Sequence, residues 1–245
     1  MTEATRLAFD GTGKTFPDGT IALEGVSFDV ASGEFVTIVG PSGCGKSTIL
    51  RIASGLESAT AGRCEVDLTS IGYVFQDSTL LPWRTVERNV ELFAELNGVP
   101  KPERTTRVAE ALDLVGLVGF EDKFPRQLSG GMKMRASLAR SLVMRPDVFL
   151  FDEPFGALDE MTREKLNDDL LQLFTARRFA ALFITHSIAE AVYMSTRVLV
   201  MSPRPGRITH EFVVPFGSDR SHDLRYEPDF ARLCGEISQA MRSTS

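Results

Sequence analysis

Apolar residues follow three patterns along this chain, and each predicts a different kind of element. In RLAFDGTGKTF (residues 6–16) and IALEGVSFDV (21–30), apolar and polar positions alternate about the turn signal PDGT, as in antiparallel strands with one face in solvent. FVTIVG at 35–40 is an almost unbroken apolar run, which reads as a strand covered on both faces. IGYVF, DVFLFD, AALFIT and RVLVMS also read as strands, and GRITHEFVV closes the sheet. The helical period appears in STILRIASGL, VERNVELFAELNG, PERTTRVAEALDLVG, SGGMKMRASLARSLVM and TREKLNDDLLQLFTARR.

Strands that alternate with helices predict an α/β fold with a mostly parallel sheet. Around that sheet the pattern adds an N-terminal antiparallel β subdomain and, between 77 and 144, an inserted helical subdomain. The expected layout is one domain over 1–245. Its core comprises 1–76 and 145–215, and a polar, loosely attached tail follows over 216–245.

Composition narrows the class. The 245 residues, 43% hydrophobic and 24% charged, suffice for one large domain with a substantial core. The longest apolar runs fall well short of the roughly 20 residues of a membrane span. The N-terminus MTEATRLAFD has no signal-peptide core, so the expected compartment is the cytoplasm. A net charge of −6 argues against a nucleic-acid partner held by phosphate neutralisation. Cys44, Cys64 and Cys234 lack the spacing of a zinc or disulfide framework and read as reduced thiols.

The candidate chemistry begins at GPSGCGKST, residues 40–48. Its glycines let the backbone fold around phosphates, so that loop N–H groups and the following helix N-terminus face negative charge. Gly40, Pro41, Ser42, Gly43, Cys44, Gly45, Lys46, Ser47 and Thr48 are therefore the predicted nucleotide cradle. Lys46 is its point charge, and the Ser47 hydroxyl is a ligand for Mg²⁺. DVFLFDEP brings Asp152 to the C-terminal end of a strand, where it serves the metal; Glu153, one residue on, is placed to take a proton from an attacking water. His186 ends another strand, while Gln76 and Asp159 are polar residues at a strand end and in the loop FGALDE. Alone, each of these three reads first as a structural residue. LSGG at 128–131 is a second glycine turn before a helix, and Ser129 there reads first as an N-cap.

Taken in order, these pieces resemble the ATP-binding subunits of ABC transporters over roughly residues 6–215. The resemblance implies a P-loop ATPase core that binds ATP and Mg²⁺. It makes Ser129, Gly130 and Gly131 a signature turn facing the γ-phosphate on a partner chain. Glu153 takes the position of the general base and His186 that of a switch histidine. Gln76 senses metal and attacking water, and Asp159 contacts the partner. Phe16 matches the aromatic that stacks on adenine, with an apolar core position as the competing reading. The implied partners are a second ATPase subunit, in a homodimer, two transmembrane permease subunits, and indirectly a substrate-binding protein, with no nucleic acid. The implied location is the cytoplasmic face of the membrane.

The wording DSTLLPWRTVERNV, LSGGM and ITHSIAEAVYMSTRVLVMSPRPGRI is similar to the branch that imports nitrate, sulfonates, taurine and bicarbonate. There Leu81 and Trp83 read either as helical-subdomain core or as contacts for a membrane subunit's helix. Two other classes compete. A soluble ABC-type machine usually fuses two cassettes or carries coiled-coil insertions, and a small-metabolite kinase leaves LSGG without a role.

Overall fold

The computed structural model describes residues 4–156, 158–217 and 220–244. β1 (Thr5–Thr15) and β2 (Ile21–Ala31) pair antiparallel about the PDGT turn. After β3 (Phe35–Val39) and α1 (Lys46–Ala53), β4 (Ala61–Val66) returns to the other edge of β1, giving a three-stranded sheet in the order β2-β1-β4. β5 (Ile71–Val74) enters a second sheet. Next come α2 (Val86–Val90), α3 (Leu92–Leu96), α4 (Lys101–Leu114) and α5 (Gly130–Leu142), with no intervening strand. The chain continues through β6 (Val148–Asp152), α6 (Glu160–Arg177), β7 (Ala180–Ile184), α7 (Ile188–Met194), β8 (Arg197–Met201), β9 (Ile208–Val213) and α8 (Pro228–Ser243).

The second sheet has the order β5-β6-β7-β3-β8-β9, parallel throughout except for β9. The mostly parallel α/β fold with an antiparallel β part is thus the one the strand patterns predict. Every residue of β3 and β7 is buried, which is why these strands read as unbroken apolar runs.

The two faces of the sheet pack differently. Val36, Ile38, Val148, Leu150 and Leu182 join α1 and the antiparallel sheet in one core. Phe35, Phe149, Phe151 and Phe183 point the other way, into the core shared with the helices. There Phe35 packs edge-on against Phe174 at 5.3 Å, and Phe149 lies 4.5 Å from Phe179. Buried aromatics of this size contribute about 1.5–3 kcal/mol each, so this layer fixes β3, β6 and β7 side by side. Their C-terminal ends then form one rigid edge.

Two sequence expectations change. The segment after 216 is not a loose tail, because α8 lays Phe230, Leu233, Ile237 and Ala240 into the helical core. Its apolar residues keep the helical period within a polar composition. Trp83 is no core residue: it is 72% exposed, on a loop that buried Asn89 ties down through the backbone of Leu81, Arg84 and Thr85.

Candidate nucleotide site

The loop 40–45 joins β3 to α1 at the C-terminal edge of the parallel sheet. Gly45 begins α1 with φ 110°, a left-handed conformation, and a Cβ there would lie 2.7 Å from Leu23 Cδ2 and 2.9 Å from the Ala22 carbonyl. No side chain caps α1, so its first N–H groups remain available at the loop. Lys46 is buried, and its ammonium donates to the carbonyls of Gly40 and Pro41, each at 2.9 Å. Burial raises the Cys44 thiol above its ordinary pKa despite nearby Lys46, so it stays protonated at neutral pH.

Asp152 ends β6, Glu153 follows it, and the two have different partners. Ser47 Oγ donates to Asp152 Oδ1 at 3.0 Å, and Tyr73 OH donates to Oδ2 at 3.3 Å. Burial pushes the Asp152 carboxyl up, while these two hydrogen bonds pull it back. The Tyr73 phenol is also raised, first by burial and then by the Asp152 charge. Glu153 has φ 45°, rare for a residue with a side chain and a strain of about 1–3 kcal/mol. Its N–H is held by the Ile184 carbonyl at 3.0 Å. This kink turns the carboxylate toward His186, whose Nδ1 lies 3.2 Å from Glu153 Oε2. The opposite ring nitrogen therefore faces away from Glu153.

A cleft of about 390 Å³ runs from the loop to Glu153, lined by Phe16, Ser42, Gly43, Gly45, Lys46, Ser47, Thr48 and Glu153. Phe16 is half-buried at its rim, with Lys14 Nζ 5.3 Å from the ring centroid. Gln76 is exposed, two residues past Val74, whose register partner is Phe151, so it belongs to the same sheet edge.

The remaining predicted residues lie elsewhere. Ser129 is exposed and caps α5, its Oγ accepting from the Met132 N–H at 3.3 Å. Asp159 is exposed and caps α6 through the Thr162 N–H at 3.0 Å. The two caps are neighbours: a Cβ on Gly131 would meet Thr162 Cγ2 at 2.8 Å. Neither Ser129 nor Asp159 lines the cleft.

Sequence reasoning missed several groups. Asp18, Thr20 and Arg204 line the cleft, yet PDGT gave only a turn signal and the stretch holding Arg204 only a family likeness. Behind His186, buried Glu190 accepts a very short hydrogen bond from the Thr185 hydroxyl. Burial pushes the Glu190 carboxyl up, and Asn167, Arg163 and His186 oppose that rise.

The family model described as ABC transporter matches residues 23–156. The nitrate import ATP-binding protein NrtD of a Synechocystis species is 41% identical over 91% of this chain and 88% of its own length. The taurine import ATP-binding protein TauB of Rhizobium johnstonii is 44% identical over 91% of this chain and 90% of its own. Among solved structures, a dimeric post-hydrolysis state of the ATP-binding cassette MJ0796 with ADP and Pi matches with a TM-score of 0.75. It is 31% identical and covers 86% of this chain and 100% of its own. The chain belongs to the ATP-binding proteins of ABC transporters. Its activity is ATP hydrolysis coupled to transport.

Proposed function

We propose that this chain powers the uptake of a small oxyanion, of the nitrate, sulfonate, taurine or bicarbonate kind, through a binding-protein-dependent importer. The observation that carries the catalytic part is the convergence of Lys46, Ser47, Asp152, Glu153 and His186 at one sheet edge. The substrate class rests on relatives named for nitrate and taurine import, both small molecules bearing an oxyanion group.

In this reading the phosphates of ATP lie along residues 40–48, against the N–H groups of α1 and the Lys46 ammonium. Phe16 at the rim offers its ring to the adenine. Ser47 and Asp152 present two adjacent oxygens, a donor set that suits Mg²⁺, which binds through one or two protein oxygens and takes the rest from phosphates and water. When bound, the ion neutralises phosphate charge. Glu153 orients and deprotonates the attacking water, and His186, held against that carboxylate, presents its far nitrogen to the γ-phosphate. Gln76 reports the state of the edge to the helical part over 77–144.

Ser129, Gly130, Gly131 and Asp159 act on the nucleotide of a second copy, in a dimer with two composite sites. The dimer works at the cytoplasmic face of the membrane, attached to two transmembrane subunits. Trp83 and its half-exposed neighbours form the contact for a membrane subunit's helix. No helix among the described residues is long and apolar enough to cross a membrane, so the pathway itself must lie in those subunits.

The test is uptake in cells with and without the chain, using labelled nitrate, bicarbonate, taurine and an alkanesulfonate. Loss of one of these, with co-purification of a multispanning membrane protein, is expected. Unchanged uptake of all four, with co-purification of ribosomes or DNA instead, would refute the importer reading.

A further inference from the structure

We infer that the loop 202–207 between β8 and β9 is an outer brace of the phosphate loop and that Arg204 is a positioning residue for nucleotide binding. This rests on reading the cleft at residues 40–48 as the nucleotide site. Three contacts carry it. Arg204 donates through Nη2 and Nε to the Gly43 carbonyl, at 2.9 and 3.2 Å, across 161 residues of sequence. Gly206 comes so close to the loop that a Cβ would lie 2.2 Å from the Cys44 carbonyl oxygen. The Gly206 N–H in turn donates to the Ala22 carbonyl at 2.9 Å, and its carbonyl accepts from the Glu24 N–H at 3.1 Å. The brace is thus fastened to β2, and Ser202 Oγ closes it by accepting from the Arg207 N–H at 3.0 Å.

The consequence is orientational. In a trans peptide the carbonyl and the following N–H point in opposite directions. A forked guanidinium that draws the Gly43 carbonyl outward therefore turns the Cys44 N–H inward. There its backbone partner among the described residues is the Pro41 carbonyl, at a long 3.4 Å. That N–H is kept inside the loop on a weak bond, ready for a stronger acceptor such as a phosphate oxygen. Arg204 also adds a second cation, with Lys46, to a cleft lining that includes Phe16 and Asp18. Among the described residues no hydrogen bond or ion pair joins the brace to Glu153 or His186, so its effect falls on nucleotide affinity and not on the bond-breaking step.

The experiment measures ATP and ADP affinity by calorimetry, and KM and kcat for ATP, on the full chain and four variants. Arg204→Ala is expected to raise KM and both dissociation constants about five- to tenfold, as for a lost charge-assisted hydrogen bond, with kcat within about twofold. Arg204→Lys keeps the charge without the fork and recovers part of the loss. Arg6→Ala, a surface cation paired with Asp147 at 3.3 Å and absent from the cleft lining, leaves affinity unchanged. Arg204 is exposed, so the unfolding midpoint without nucleotide stays constant. Wild-type affinity in Arg204→Ala, or an equal loss in Arg6→Ala, overturns the brace while Lys46→Ala still abolishes binding. Undiminished binding in Lys46→Ala overturns the nucleotide reading itself, and the brace with it.

Discussion

The edge at β3, β6 and β7 and the turn at the start of α5 both present helix N-termini and polar side chains, but they differ in how far each is assembled. At the sheet edge the partners are already in contact. Ser47 bonds Asp152, His186 meets Glu153, and Lys46 is fixed on its own loop. At α5, Ser129 and Gly130 lie exposed, and the Ser129 hydroxyl serves only its own helix. A rigid parallel sheet can bring residues more than a hundred positions apart to one point. An isolated helix cap has no such scaffold facing it. The difference fits a site divided between two chains, with the reacting groups on one side and a completing surface on the other.

The largest expected effect breaks the assembled half. Glu153→Gln keeps the size and hydrogen bonding of the side chain but cannot take the proton from water. Hydrolysis should fall about 10²–10⁴-fold while ATP binding survives. If ATP joins two chains, size-exclusion chromatography with Mg-ATP should show the variant at twice the monomer mass. Turnover near the wild-type rate removes Glu153 as the base, and a variant that stays monomeric at saturating ATP removes the two-chain site.

A second substitution addresses the exposed half. Ser129→Arg places a long cation on the surface proposed to complete another chain's site, so on that proposal steady-state hydrolysis should drop by at least about tenfold. ATP affinity of the dilute single chain should stay within about twofold, because Ser129 does not line its cleft. Normal hydrolysis would reduce the turn to a helix cap. An equal loss of single-chain affinity would contradict the division into halves.

The same contrast explains what was legible in the sequence. Residues 40–48 form one contiguous stretch, as a cradle of consecutive backbone N–H groups for phosphate would, so the proposed motif is readable without the fold. Asp152 and Glu153 were readable from VFLF, which must end at the ligand-binding edge of a parallel sheet. Tyr73 and Arg204 were not, since each meets its partner only through packing, across 79 and 161 residues. The left-handed kink at Glu153 also has no sequence signal, because a glutamate does not announce a positive φ. α8 escaped notice because four apolar residues at helical spacing are diluted by charge, and Trp83 was weighed as core because an aromatic near helical patterns usually is.

The smallest effect tests how firmly the assembled half is held from behind. Glu190 lies under the His186 loop and accepts from the Thr185 hydroxyl, and burial raises its pKa above the ordinary 4.5. A carboxyl raised in the folded state holds its proton more tightly there than in the unfolded chain. Its contribution is therefore fully present below about pH 4 and is lost as pH rises through the folded pKa. Opposition by Arg163, Asn167 and His186 reduces the rise but leaves its sign unchanged. Glu190→Gln keeps an acceptor for Thr185 and removes the titration. In urea denaturation without nucleotide, the variant's stability relative to wild type should increase from about pH 5 to about pH 8. A difference that stays constant with pH would mean that Glu190 ionises at no cost, paired more closely with Arg163 than its burial suggests. A difference that grows in the opposite direction would show a carboxylate stabilised by its neighbours.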